Sequence, residues 1–178
     1  NTDGPDGIAN SPEFCFIARD TILISENQFV YKISLDGNVF LKKAKTEIQK
    51  ENGFLFGRGI EVRSPANSIA YFNGRSFFHI LPINAGYWEK EFYEGPVLAS
   101  VNLENGLVHF LDIRYPKEAS ADRLFGYLLK PYMMVYKDNL IFNYPFSSKV
   151  YKYNCTSGDT QEFDIRSGFT NNESKPFS

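Results

Sequence analysis

Two stretches of this sequence align without a gap at an offset of 52 residues. The first is Leu98-Ala99-Ser100-Val101-Asn102-Leu103-Glu104-Asn105-Gly106, then five residues, then Asp112-Ile113-Arg114. The second is Val150-Tyr151-Lys152-Tyr153-Asn154-Cys155-Thr156-Ser157-Gly158, then five residues, then Asp164-Ile165-Arg166. Asn, Gly, Asp, Ile and Arg coincide at five of 17 aligned positions, where chance would supply roughly one. A weaker third copy starts at Val30-Tyr31-Lys32-Ile33-Ser34-Leu35-Asp36-Gly37, with one residue fewer before its glycine and no Asp-Ile-Arg.

Each copy reads as a β-hairpin. Tyr31, Ile33 and Leu35 alternate with Lys32 and Ser34, and Ala99, Val101 and Leu103 alternate likewise. That is the period of a strand with one buried face. Asp36-Gly37 and Asn105-Gly106 are tight-turn pairs, because these residues tolerate positive φ; Ser157-Gly158 is a weaker form. Upstream of each hairpin a turn residue precedes an apolar run: Asp20-Thr21-Ile22, Asn67-Ser68-Ile69 and Asp138-Asn139-Leu140. One more short strand is expected before each, at 13–17, 59–63 and 132–136. Four short antiparallel strands recurring every 40–50 or so residues is the pattern of a β-propeller blade. The sequence therefore predicts an all-β, propeller-like chain, one segment over 1–178, with blades at about 13–45, 58–115 and 128–167. A β-sandwich is the competing architecture. Helix finds little support; Ser120 to Lys130 has some helical spacing, but Gly126 and Pro131 limit it to a turn or two.

Composition agrees. Seventeen Phe, 11 Tyr and one Trp against two Met favour strands, whose pleated surface suits aromatic side chains. A net charge of -2 provides no basic field for a phosphate backbone, so nucleic acid is not an expected partner. No apolar run approaches the roughly 18 residues of a membrane helix. The opening residues hold no basic and apolar signal pattern, so any export signal is expected to be absent or removed. Cys15 and Cys155 are expected to be free buried thiols rather than a disulfide, and two cysteines are too few for a typical zinc site. Asn154-Cys155-Thr156 and Asn172-Glu173-Ser174 fit the glycosylation pattern at about its chance frequency.

The opening Gly4-Pro5-Asp6-Gly7-Ile8, the strand start Asp20-Thr21-Ile22 and the turn Asp36-Gly37 resemble uncharacterised six-bladed, propeller-like lipoproteins of the Bacteroides type, a domain of unknown function. The resemblance covers residues 4–45 well and the rest in its blade pattern. It implies a secreted, lipid-anchored protein of the cell envelope, periplasmic or on the outer surface, of about twice this length. It carries no assigned activity and no site residues. The chain departs from it in lacking a lipidated N-terminal Cys and about half of the blades. Three blades do not close a ring, and closure is what hides strand edges. Further blades of a longer chain, or self-association, are the expected cover.

Candidate chemistry is sparse. His79 and His109 are the two histidines, and no nucleophile elbow, paired metal-ligand or zinc-protease motif is present. His109 reads as an ordinary strand residue. The glycine-rich 52–59 lacks a phosphate-loop lysine and reads as a loop. Asp112 with Arg114, and Asp164 with Arg166, read as structural pairs. Glu89, Glu91 and Glu94 show no converging partner for glycoside hydrolysis. No catalytic residue, metal ligand or cofactor is expected. The strongest surface is an apparent insertion of 19–22 residues in the second blade, between Asn73 and Pro96. It holds Arg75, His79, Tyr87, Trp88 and Tyr93. Long loops on rigid scaffolds carry function, and aromatics beside charges suit sugar stacking or protein contact. These five are the expected ligand-binding residues of a non-enzymatic module for a peptide, protein or glycan. A propeller-type hydrolase or lactonase with a carboxylate-lined channel, and a structural or assembly module, are the alternatives.

Overall fold

The structure is a computed structural model that describes residues 12–26, 28–56, 68–120 and 129–165. The opening motif at 4–8, the strand expected at 59–63, most of the 120–130 turn, Arg166 and Asn172 lie outside the described residues.

The described chain is all-β apart from two short helices, and its strands fall into three consecutive antiparallel sheets. The first is a meander of β1 (Glu13–Ala18), β2 (Thr21–Ser25), β3 (Phe29–Ser34) and β4 (Val39–Ala44). Helix α1 (Lys45–Asn52) follows. It buries Ile48 and stops at Gly53, whose φ of 68° lets its N–H reach the Gln49 carbonyl. The sequence reading did not expect this helix, although Lys, Glu and Gln dominate it and are good helix formers.

The second sheet contains β5 (Phe54–Phe56), β6 (Ile69–Phe72), β7 (Arg75–Pro82), β8 (Leu98–Val101) and β9 (Val108–Phe110). β6 pairs with the first half of β7 and β5 with its end. The third sheet is β10 (Tyr132–Tyr136), β11 (Asn139–Asn143), β12 (Lys149–Asn154) and β13 (Thr160–Asp164), in that order.

The repeat has a direct structural cause. Asn102 and Asn154 each close the turn after β8 and β12. Asn102 Oδ1 accepts from the Glu104 amide at 2.9 Å, and Gly106 N–H donates to the Asn102 carbonyl at 2.8 Å. Asn154 Oδ1 accepts from the Thr156 and Ser157 amides at 2.9 and 2.8 Å, and Gly158 N–H donates to the Asn154 carbonyl at 2.9 Å. Gly106 and Gly158 sit at φ 76° and 83°, which a side chain disfavours. In the first sheet Ser34 takes the asparagine's place: its Oγ accepts from the Asn38 amide at 3.0 Å, around a turn one residue shorter.

Two differences from the expected strands stand out. The Ile69 run is not the counterpart of the Asp20 and Asp138 runs. It precedes a tight turn at Asn73 and Gly74, with φ 47° and 82°, and the counterpart strand is β7. The extra chain of the second sheet is therefore 83–97, not 74–95.

The middle sheet is covered on both faces. Ile69, Phe78, Ile80, Ala99 and Val101 pack with Leu23 and Val30 of the first sheet and with Ile48, Phe54 and Phe56. Ala70, Phe77 and Leu98 pack with Met133, Leu140, Phe142, Tyr151 and Tyr153 of the third. That double burial makes Ser76 to Ile80 continuously buried instead of alternating. Each fully buried aliphatic or aromatic side chain here contributes about 1.5–3 kcal/mol.

Candidate functional site

The loop between β7 and β8 is the longest described connection. It opens at Ile83, carries Tyr87 and Trp88 at its tip, and returns through the short helix α2 (Glu91–Glu94). Phe92 and Tyr93 are its anchors: both are buried, and Phe92 stacks on Tyr115 at 5.8 Å and 11°. The Tyr93 hydroxyl donates to the Tyr87 carbonyl at 2.7 Å. Glu89 folds back so that its carboxylate accepts from the Gly86 amide at 2.7 Å, while Glu89 N–H donates to the Gly86 carbonyl at 2.9 Å. These bonds fix the tip. Trp88 lies over Gly86 so closely that a Cβ there would sit 2.6 Å from the indole. The indole is 64% exposed and Tyr87 46%, with their rings edge to face at 5.0 Å and 77°. Glu89, Glu91 and Glu94 follow them in the chain, and Lys90 pairs with Glu94 at 2.9 Å.

The five expected binding residues do not assemble into one surface. Tyr87 and Trp88 are presented to solvent, and Tyr93 holds them from below. His79 is not on a loop; it is a buried residue of β7, and its Nε2 shares a 2.9 Å hydrogen bond with the Tyr115 hydroxyl. Burial pulls its imidazole down to about 3 and pushes the Tyr115 phenol far up. Arg75 begins β7, eight residues from the start of the loop, and its charge acts on Tyr153 and Cys155 of the third sheet instead. His109 is exposed on β9. Both cysteines are free thiols, each half-buried. Asp112 and Arg114 approach no closer than 3.9 Å and are both well exposed, so they contribute little.

A second constellation had no signal in the sequence. Strands β1, β6 and β10, the first of each sheet's meander, run side by side and bound an open recess of about 340 Å³. Phe14, Phe16, Ile69, Tyr71, Met133 and Met134 are among its walls. At the start of these strands Glu13 of β1 meets Ser68, just before β6, and Lys130, just before β10. The Ser68 hydroxyl donates to Glu13 Oε2 at 2.8 Å, and Lys130 forms an ion pair with Glu13 Oε1. Burial pulls the Lys130 ammonium down to about 8, so it remains mostly charged at neutral pH against the Glu13 carboxylate. The three residues are 55 or more positions apart and belong to no motif. Among the described residues, no three His, Cys, Asp or Glu side chains gather to hold a metal ion. No described helix is long and apolar enough to cross a membrane.

Residues 1–177 match the family described as Domain of unknown function (DUF4221). The chain belongs to this family. A solved DUF4221 member from Bacteroides vulgatus ATCC 8482 is similar over 89% of this chain at 13% identity and a TM-score of 0.54. The chain spans 43% of that relative's length. Citrobacter koseri AztD aligns over 98% of this chain and 50% of its own at 14% identity, with a TM-score of 0.37. No curated protein matches the sequence.

Proposed function

We propose that this DUF4221 chain is a partial β-propeller of three blades and a non-enzymatic binding module, which takes a peptide, protein or glycan on the tip of its β7–β8 loop. The observation that carries this reading is the 64% exposed Trp88 on a loop fixed by two buried aromatics and two short hydrogen bonds. An indole kept in water at a pre-ordered position loses little entropy when it binds. Its open face stacks on a sugar ring or fills a pocket of a protein partner. Three consecutive meanders with adjacent first strands support the blade reading.

The channel-enzyme alternative has less support. Among the described residues that line the recess none is a carboxylate, and the nearby Glu13 is engaged by Ser68 and Lys130.

Trp88 is the sole tryptophan, so its fluorescence reports binding at the tip directly. Titration with soluble oligosaccharides and with a peptide library is expected to quench or shift the emission for one ligand class. Trp88→Ala abolishes that binding when a second readout such as calorimetry is used. Gly86→Ala, which displaces the ring, weakens it, and Arg75→Ala leaves it unchanged. A ligand that binds Trp88→Ala as tightly as the parent chain overturns the assignment.

A further inference from the structure

The tip of the β7–β8 loop combines an aromatic corner with fixed negative charge. The Trp88 indole rests against Gly86 on one side and is otherwise open to water, and the Tyr87 ring stands at 77° to it with centroids 5.0 Å apart. Ring faces attract cations through their negative quadrupole, indole most strongly. The Glu89 carboxylate is pinned beside this corner. It accepts from the Gly86 amide at 2.7 Å, and a Cβ on that same residue would sit 2.6 Å from the indole, so carboxylate and ring are held within about 8 Å of each other. Charge along the loop has one sign in excess: Glu89, Glu91 and Glu94 against Lys90. Lys90 bonds to Glu94 at 2.9 Å, and of the two carboxylates that raise its ammonium Glu91 acts less. Among the described residues, Glu89 and Glu91 therefore have no cation bonded to them.

The chain already uses this chemistry elsewhere. Lys42 Nζ lies 4.8 Å from the ring centre of Phe29 and 5.6 Å from that of Tyr31, two rings 6.0 Å apart at 50°, and the Tyr31 hydroxyl donates to Glu26 at 2.7 Å. Among the described residues no Lys or Arg stands over Tyr87 or Trp88 in the same way.

Resting on the binding role proposed above for the tip, we infer that its ligand is a basic peptide segment. One Lys or Arg side chain enters the Tyr87–Trp88 corner with its charge met by Glu89, and a second basic residue meets Glu91. A neutral sugar would use the indole but leave both carboxylates uncompensated, and an anionic glycan would be repelled by them. A single small cation would answer only one of the two. Arg is the better occupant of the corner, because its planar guanidinium stacks on a ring and is weakly hydrated.

Fluorescence titration of the full 178-residue chain with capped tri-arginine, tri-lysine and tri-glutamine peptides and a neutral oligosaccharide tests this. Both basic peptides are expected to shift the Trp88 emission saturably, tri-arginine at the lower concentration. Their affinity is expected to fall as salt rises from about 50 to about 500 mM. Glu89→Gln keeps a side-chain carbonyl for the Gly86 amide and removes only the charge. Glu89→Gln and Glu91→Gln are each expected to weaken basic peptides about two- to fivefold, the effect of one exposed charge. Calorimetry on Trp88→Ala is expected to show the binding lost. A Trp88-dependent response to the oligosaccharide or to tri-glutamine, with none to the basic peptides, overturns the basic-peptide assignment and leaves the tip as a binding site. Basic peptides that bind Trp88→Ala as tightly as the parent overturn both readings. Binding indifferent to salt and to both Glu→Gln changes, or no response to either basic peptide, also overturns the assignment.

Discussion

His79 and Tyr115, 36 residues apart, share a 2.9 Å hydrogen bond inside the larger core cluster, where His79 Nδ1 has no partner. With its imidazole held down at about 3 against an ordinary 6.5, the folded state keeps His79 neutral where the unfolded chain takes up a proton. The sign follows: His79 costs nothing above pH 6.5, and stability falls as pH falls from 6.5 toward 3. The slope contributed is about 1.4 kcal/mol per pH unit. Urea midpoints measured from pH 7 to pH 4 are expected to drop more steeply for the parent chain than for His79→Gln. Parallel curves, or an NMR titration of His79 near its ordinary value, would refute the buried neutral state.

Glu13 and Lys130 tie the first sheet to the third, and Ser68 ties the second to the first. Lys130→Met leaves Glu13 charged and largely enclosed, and Glu13→Gln leaves Lys130 likewise. Each single change is expected to cost about 3 kcal/mol, because a partly buried charge loses its counter-ion. The double variant is expected to cost less than the sum. A double-mutant cycle by chemical denaturation checks this, and strict additivity would show that the pair is not coupled.

Asn102 and Asn154 perform the same task in separate sheets. Asn102→Ala and Asn154→Ala are each expected to cost about 1 kcal/mol, the net worth of a hydrogen bond with its turn amides. The two effects should add, since the sites share no partner. Thermal melts of the two single variants and the double variant measure this. A neutral effect at either position would mean that the spacing shared by the two copies is upheld by their glycines alone.

Cys15 faces the middle sheet from β1, and burial pushes its thiol up to about 12. At pH 8 only about one molecule in 10⁴ would carry the thiolate that alkylating agents need. Iodoacetamide is therefore expected to label Cys15 of the native chain far more slowly than of the urea-unfolded chain. Mass spectrometry of timed aliquots reads the rate, and equal rates in the two states would place Cys15 at the surface.

Local features of this fold were legible in the sequence because they depend on near neighbours. Gly106 and Gly158 mark turns because positive φ excludes most side chains, and the asparagine four residues earlier caps the same turn. Alternation in β3 reveals one buried face. The order of strands in the first and third sheets follows from these signals alone. The middle sheet was harder to read. With both faces covered, β7 loses its alternation, and Phe77-Phe78-His79-Ile80 carries no local pattern that distinguishes a buried strand from an inserted loop. The run at Ser68 resembles those at Asp20 and Asp138 in composition, but the Asn73-Gly74 turn is the equivalent of the turns before Thr21 and Asn139, which makes β7 their counterpart.

By itself the sequence determined the all-β character and the recurrent hairpins, since periodicity and turn chemistry act over a few residues. Tertiary structure alone decided that Arg75 and Trp88 stand at different ends of one sheet, that His79 is enclosed, and that Glu13, Ser68 and Lys130 meet. Those outcomes depend on how sheets stack and which first strands become neighbours. Packing of that kind joins residues 55 and more positions apart, where no local pattern in the chain records the contact.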